Sequence, residues 1–429
     1  MPPTRVSDDS QIDRGAQHFA PGGVPADPVV VWRTMAVGTE LASLRVGAQN
    51  TPRSNRLHSD PPLLTSLARV RRLLSGEPVD RLPAQPMAMM FAARNAGMPF
   101  IEYTRDGRRM AEAQLKLAAD FGLDCLLTCS DPAREVIDIA GDGSVDWFPD
   151  QGPVINEERA ALRDKARLRT FRVPDPLREG RMLDRVAAIE IMRRSAGPGM
   201  SIVGWVEGPL ALAAELRGIN TIMLDFADDP AFVRELLAFC ADVAIAYAPA
   251  QIAAGADTIG MSDAAASLIG PRLYEQFLWP EQRRVLESLQ RNHPSVIRRL
   301  HMCGRTDSLI AKMRGLPADI YEIDFPANLP RARAGLGTER VIAGNVSTIA
   351  DLLEGTPEQV YEACRRCHQT CGSFHIVGAG CEISPLTPPE NLRAMMAYAR
   401  DHRPDEGLGA GPSDSTPPSG GGGPGGAST

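Results

Sequence analysis

The sequence predicts an α/β protein built as a TIM (β/α)8 barrel with disordered N- and C-terminal extensions. Three observations predict it. Eight short apolar, β-rich runs follow one another along the chain, and amphipathic helical patterns separate them. The Gly-rich phosphate loop that a doubly wound open sheet usually carries after an early strand, GxGxxG or a Walker loop, is missing. The length of 429 residues suits one such barrel with added ends.

Residues 1–61 are rich in Pro, Ser, Arg, Asp and Gly without a sustained apolar period, so a disordered or weakly ordered extension is expected. The ordered body, 62–403, begins with LLTSLARVRRLLSG, whose Leu and Val recur at helical spacing and stop at Gly76. Strands are expected near 83–90 (PAQPMAMM), 125–131 (CLLTCSD), 201–208 (SIVGWVEG) and 257–264 (DTIGMSDA). Four more are expected near 296–303 (VIRRLHMC), 320–326 (IYEIDFP), 340–346 (RVIAGNV) and 374–378 (FHIVG). The helical pattern is clearest at 108–120, 183–195, 231–254, 271–290, 357–370 and 389–400. The gap from 131 to 201 leaves room for an insertion around DWFPDQGPVI with an extra hairpin. Residues 404–429, with GPSDSTPPSGGGGPGG, bury too little apolar surface to offset their ordering entropy, so a disordered tail is expected.

Composition narrows the function. Hydrophobic residues make up 43% and charged residues 23%, which is ordinary for a globular protein with a sizeable core. Forty-six basic against 53 acidic side chains, a net charge of −7, argue against a general nucleic-acid binder. No apolar run approaching a membrane span is expected, and MPPTRVSDDSQIDRG lacks a signal-peptide core, so the expectation is a cytoplasmic protein with no membrane partner. Eight cysteines are too few for a disulfide scaffold, so clustered Cys and His are weighed first as metal ligands. Barrel helices often pair, which leaves a homodimer as an open expectation.

Barrel enzymes work at the C-terminal ends of their strands. Here those ends read Ser130–Asp131, Glu207-Gly208-Pro209, Ser262–Asp263, His301-Met302-Cys303-Gly304, Asp324, Gly344–Asn345 and Gly378-Ala379-Gly380-Cys381-Glu382. His301 and Cys303 stand two apart on a strand end and so project to the same side. Zinc is commonly held by Cys sulfur and His nitrogen, with one position left open in catalytic sites. Cys381 is the natural third ligand, with Gly378 and Gly380 allowing the backbone to turn sharply. The plainer reading is a packed thiol beside a locally hydrogen-bonded imidazole. Asp131, Glu207, Asp263 and Asn345 are candidates to orient a ligand or a substrate at the mouth, or else to cap strand ends. Cys364, Cys367 and Cys371 share one helical face, which favours core thiols over a second metal cluster beside His368.

Long stretches of this sequence resemble the uroporphyrinogen decarboxylase superfamily, and within it the zinc-dependent methylcorrinoid methyltransferases. The resemblance lies in GEPVDRLP (76–83), GADTIGMSDAAASLIGPRLYEQFLWP (255–280), LHMCG (300–304), GNVSTIADLLEGTPEQVYEACRRC (344–367) and GAGCEISPLTPPENLRAMMAYAR (378–400). The decarboxylase branch carries an Arg-rich segment like MRQAGRY near the start and a Gly-His-Gly turn after the last strand. This chain has MAMMFAARNAGMPF, where Arg94 is the nearby base, and Gly378-Ala379-Gly380. The resemblance therefore implies a TIM-barrel methyltransferase whose zinc ligands are His301, Cys303 and Cys381. It implies methyl transfer between a methylcorrinoid, carried on a corrinoid protein, and a small thiol or tetrahydrofolate acceptor. The alternatives are a cofactor-free decarboxylase acting on a tetrapyrrole, or a barrel that binds metal without catalysis.

Overall fold

In the computed structural model of the chain the described residues are 63–406, apart from 130, 132 and 179. The expected N-terminal extension and nearly all of the tail lie outside them, as does Ser130.

Among the described residues seven parallel strands pair in sequence order: β1 Cys125–Leu127, β2 Ser201–Glu207, β3 Thr258–Ser262, β4 Ile297–Met302, β5 Ile320–Ile323, β6 Val341–Gly344 and β7 His375–Ile376. Every residue of β2 and β3 is buried, as strands covered on both faces require. The first of the eight expected strands, at 83–90, is corrected to a single bridge. Ala84 pairs in parallel with Val377, and the Asp124 N–H donates to the Ala84 carbonyl at 2.9 Å, so this short stretch joins the two sheet edges. Pro83 and Pro86 remove the donors a longer ladder needs, and Met90 already opens a helix.

The opening helical pattern forms Ser66–Leu74, and the six further expected helices form close to their expected bounds, for example Gly107–Phe121 and Pro357–Cys371. Asp106 caps Gly107–Phe121 by accepting from the Arg108 N–H, and Thr356 and Gln359 make a reciprocal cap on Pro357–Cys371. Helices unforeseen in the sequence include Ala133–Ala140, Pro209–Arg217 and Leu329–Leu336. In Pro209–Arg217 every side chain but Glu215 is buried, so no polar face marks the helical period. The expected insertion hairpin is present, with Val145–Asp146 antiparallel to Val154–Ile155.

One expectation about apolar runs is corrected. Pro230–Ala253 is long and apolar enough to cross a membrane by length and composition. Twelve of its residues are buried in the barrel's core, where a helix apolar on most sides belongs. On Pro357–Cys371, Cys364, Cys367 and Cys371 are buried thiols. His368 is held between the Tyr398 hydroxyl and the Pro404 carbonyl, each at 3.0 Å.

The interior is filled unevenly from strand to strand. Trp205 of β2 lies beside Gly260 of β3 in the register, and a Cβ on Gly260 would come within 2.3 Å of the indole. The indole uses that gap and lies 6.4 Å, ring to ring, from His301. Gly260→Ala is therefore expected to destabilise the fold by about 1–3 kcal/mol through overpacking. Urea unfolding at unchanged slope would measure the loss, and an unchanged midpoint would contradict the packing described here.

Candidate metal centre

Strand β4 delivers His301 at its C-terminal end, and Cys303 follows one residue beyond the strand. Side chains two apart share a face, which aims both into the mouth. Cys381 arrives from the loop after β7. Its approach depends on Gly380, although not through an unusual backbone angle: neither Gly378 nor Gly380 has a positive φ. A Cβ at 380 would instead sit 2.3 Å from the Phe325 nitrogen, so the glycine lets this loop pass directly against the loop after β5.

The three side chains converge. His301 Nε2 lies 3.0 Å from Cys303 Sγ and 3.8 Å from Cys381 Sγ, and the two sulfurs are 3.7 Å apart. A tetrahedral zinc with its usual bond lengths has edges of about 3.8 Å between sulfurs and about 3.6 Å between nitrogen and sulfur. The sulfurs are far beyond the roughly 2.05 Å of a disulfide, and both cysteines are free. Among the described residues this is the group of His, Cys and acidic side chains close enough to share one metal ion. The 3.7 and 3.8 Å edges match the tetrahedral lengths, the 3.0 Å His301–Cys303 edge is shorter, and the donor set of one nitrogen and two sulfurs suits zinc.

The protons on this triad follow from its surroundings. A hydrogen bond from Cys303 brings the Cys381 thiol down to about 4 against the effect of burial, with His301 assisting. The same contact, together with burial, pushes the Cys303 thiol far up. Burial disfavours a charged His301, but Glu322 and Cys381 together outweigh it and raise the imidazole to about 10. These directions favour one charged sulfur beside a protonated imidazole. Ligation by all three requires the protons on Cys303 and His301 to leave.

Beneath the triad lies a buried ionic layer. In the parallel register His301 stands opposite Glu322 of β5, and its Nδ1 is 3.3 Å from Glu322 Oε2. Arg299, two residues before His301, holds the same carboxylate with both Nε, at 3.0 Å, and Nη2. Burial would raise the Glu322 carboxyl, but Arg299 and then His301 bring it down to about 2. All three side chains are only 1% exposed. Arg299 reaches on to Gln85 in the bridging stretch. Glu322 escaped the sequence reading; its signal was a lone carboxylate inside the apolar run IYEI.

The remaining candidates occupy the strand ends in other company. Asp131 is gripped by Arg181 through both oxygens, at 2.5 and 2.6 Å, and accepts from the Ala133 N–H. Glu207 sits in a buried cluster 3.4 Å from Arg134, whose nearer partner is Glu135 at 2.8 Å. Burial, reinforced by Glu135, raises the Glu207 carboxyl to about 8. Asp263 is fully buried, accepting from the Ala211 N–H and from Gln282, each at 2.8 Å, and burial raises it to about 7. Asn345 donates to the Asp324 and Ala327 carbonyls at 3.2 Å, bracing the loop after β5. Glu382 accepts from the Met90 N–H at 2.7 Å and so caps the helix Met90–Asn95. Asp324 accepts from Gly304 and Phe325, fastening the turn that follows Cys303.

A family model described as uroporphyrinogen decarboxylase (URO-D) matches residues 65–402, nearly the whole described body. The chain belongs to the URO-D family. The likeness extends to family members with different names. A Methanosarcina mazei protein named methylcobamide:CoM methyltransferase MtbA is 28% identical over 345 residues, covering 79% of this chain and 98% of that protein. A Nostoc protein named uroporphyrinogen decarboxylase is 27% identical, covering 77% and 95%. A solved methyltransferase structure from Methanosarcina mazei superposes with a TM-score of 0.71 at 24% identity, over 79% of this chain and 98% of its own, and bears out the fold.

Proposed function

We propose that this URO-D family member is a zinc-dependent methyltransferase that moves a methyl group from a methylcorrinoid on a partner protein to a small thiol. The observation that carries the reading is the His301–Cys303–Cys381 triangle, with edges of 3.0, 3.7 and 3.8 Å. Three protein ligands leave one tetrahedral position for a reactant. The names of the methyltransferase relatives support the same reaction class.

His301, Cys303 and Cys381 would hold the ion, and Glu322 fixes the imidazole from behind, as carboxylates commonly do for metal-ligating histidines. When bound, zinc supplies a positive charge that makes a thiol acidic near neutral pH. In the transfer the acceptor sulfur forms its bond to the methyl carbon as the carbon–cobalt bond breaks. Both electrons of that bond stay on cobalt, which passes from Co(III) to Co(I), and the thiol proton goes to solvent. Asp131, Asp263 and Asn345 act as positioning residues through the loops they brace. Glu207 sits with Arg134 and Glu135 in a buried cluster at the end of β2.

The test is loss of methylcobalamin absorbance in the presence of zinc-loaded protein and a small thiol, followed anaerobically. Thiol-dependent demethylation is expected, and it should fall with chelation and return with zinc. Demethylation with tetrahydrofolate and not with thiols would overturn the acceptor assignment. Decarboxylation of uroporphyrinogen by metal-free protein would overturn the whole reading.

A further inference from the structure

A cavity opens at the end of the barrel opposite the metal centre, where β4, β5 and β6 begin. Its volume is about 490 Å³, and Arg283, Arg298, Arg314 and Arg340 reach it from four separate parts of the chain. Ligand pockets commonly span roughly 300–1,000 Å³. Residues 315–318 (GLPA) form one side of it, and Glu287 and Asp319 line it as well.

Two of the four guanidinium groups are already used. Arg298 grips Asp319 with two hydrogen bonds, at 2.5 and 2.8 Å. Arg283 holds Glu287 at 2.6 Å and lies over the Trp279 ring. The other two are not matched in this way. Arg314 and Arg340 share the single carboxylate of Glu339, at 3.7 and 4.0 Å, and that side chain is 59% exposed. Exposed pairs at such distances contribute little. The Arg340 Nε is also shielded from solvent without a hydrogen-bond partner, an arrangement that costs free energy unless something accepts from it.

We propose that this cavity is a binding site for a small phosphate-bearing molecule, with Arg314 and Arg340 receiving the phosphate oxygens and the 315–318 wall contacting the rest of the ligand. Two planar donor groups converging on one space suit an oxyanion with several acceptor oxygens, since guanidinium binds phosphate through paired N–H groups. The site is separate from the metal centre. Strand β4 carries Arg298 near its start and ends just before Cys303, and six residues of strand span about 20 Å. The proposal does not depend on the methyltransferase reading, because binding can be measured without turnover.

The probe is inorganic pyrophosphate, titrated by calorimetry into the full-length protein at constant ionic strength set with potassium chloride. Saturable one-to-one binding is expected, with affinity at least about tenfold weaker in Arg314→Gln/Arg340→Gln. Citrate, an anion of similar charge without phosphate geometry, should bind at least about tenfold more weakly than pyrophosphate. Both arginines are partly exposed, so the double variant should keep the wild-type circular dichroism and zinc content. A non-saturating response, equal binding of citrate, or undiminished binding by a folded double variant would each overturn the assignment.

Discussion

Cys381→Ala should leave a folded protein that no longer retains zinc and no longer demethylates methylcobalamin. The side chain is only partly buried, and its side-chain partners are the two other members of the triad, with the Glu382 backbone beside it. Its loss should therefore cost the fold about 1 kcal/mol or less. The metal loses much more. Structural zinc sites bind with about 10–16 kcal/mol spread over four ligands, so one ligand represents roughly 3–4 kcal/mol, or two to three orders of magnitude in affinity. Zinc content after dialysis should fall from one equivalent to near zero, and kcat/KM should fall by at least about a hundredfold. Cys367→Ala provides the contrast. That thiol is also a cysteine, but it is packed in the helix Pro357–Cys371, so its removal should reduce stability slightly and leave zinc in place. A Cys381→Ala protein that keeps a full equivalent of zinc would end the case for the triad.

Glu322→Gln should be damaging in a different way, because it affects stability and metal affinity together. The carboxylate neutralises Arg299, which is 1% exposed and has Gln85 as its other polar contact. Removing one partner of a buried pair typically costs about 3–5 kcal/mol. The pKa shift gives a similar figure: a fall from 4.5 to about 2 corresponds to roughly 3 kcal/mol. The folded pKa is the lower one, so the unfolded chain binds more protons between those values. The contribution is fully present above about pH 4.5 and is lost as pH falls towards about 2. Wild type should thus lose stability steeply across that window, while Glu322→Gln starts lower and falls less. His301 also loses the group that orients its ring, so zinc affinity should drop about 10–100-fold. A variant with wild-type zinc affinity would show that Glu322 serves the core alone.

These two residues also mark how far the sequence could be read. His301 and Cys303 were legible together because a strand's two-residue period is a local property. Cys381 was joined to them by its place at the end of the last expected strand and by resemblance; spacing alone left the plainer reading open. Glu322 was not legible. It lies 21 positions after His301, and only the alignment of β4 with β5 puts the two opposite each other. The first strand was overestimated because MAMM looked like a buried run, while Pro83 and Pro86 limited its pairing to Ala84. The helix Pro209–Arg217 was missed because burial on nearly every side erased its period.

The sequence by itself determined the barrel class, six of the main helices and the side chains able to bind a metal, since each depends on a local period or on residue chemistry. Tertiary structure alone decided which carboxylate stands behind His301. It also decided that Asp131 pairs with Arg181 and Asp263 with Ala211 and Gln282, and that Gly380 provides space rather than a turn. Those outcomes depend on strand register and on the separation of loops distant along the chain, and both are set by packing the whole barrel at once.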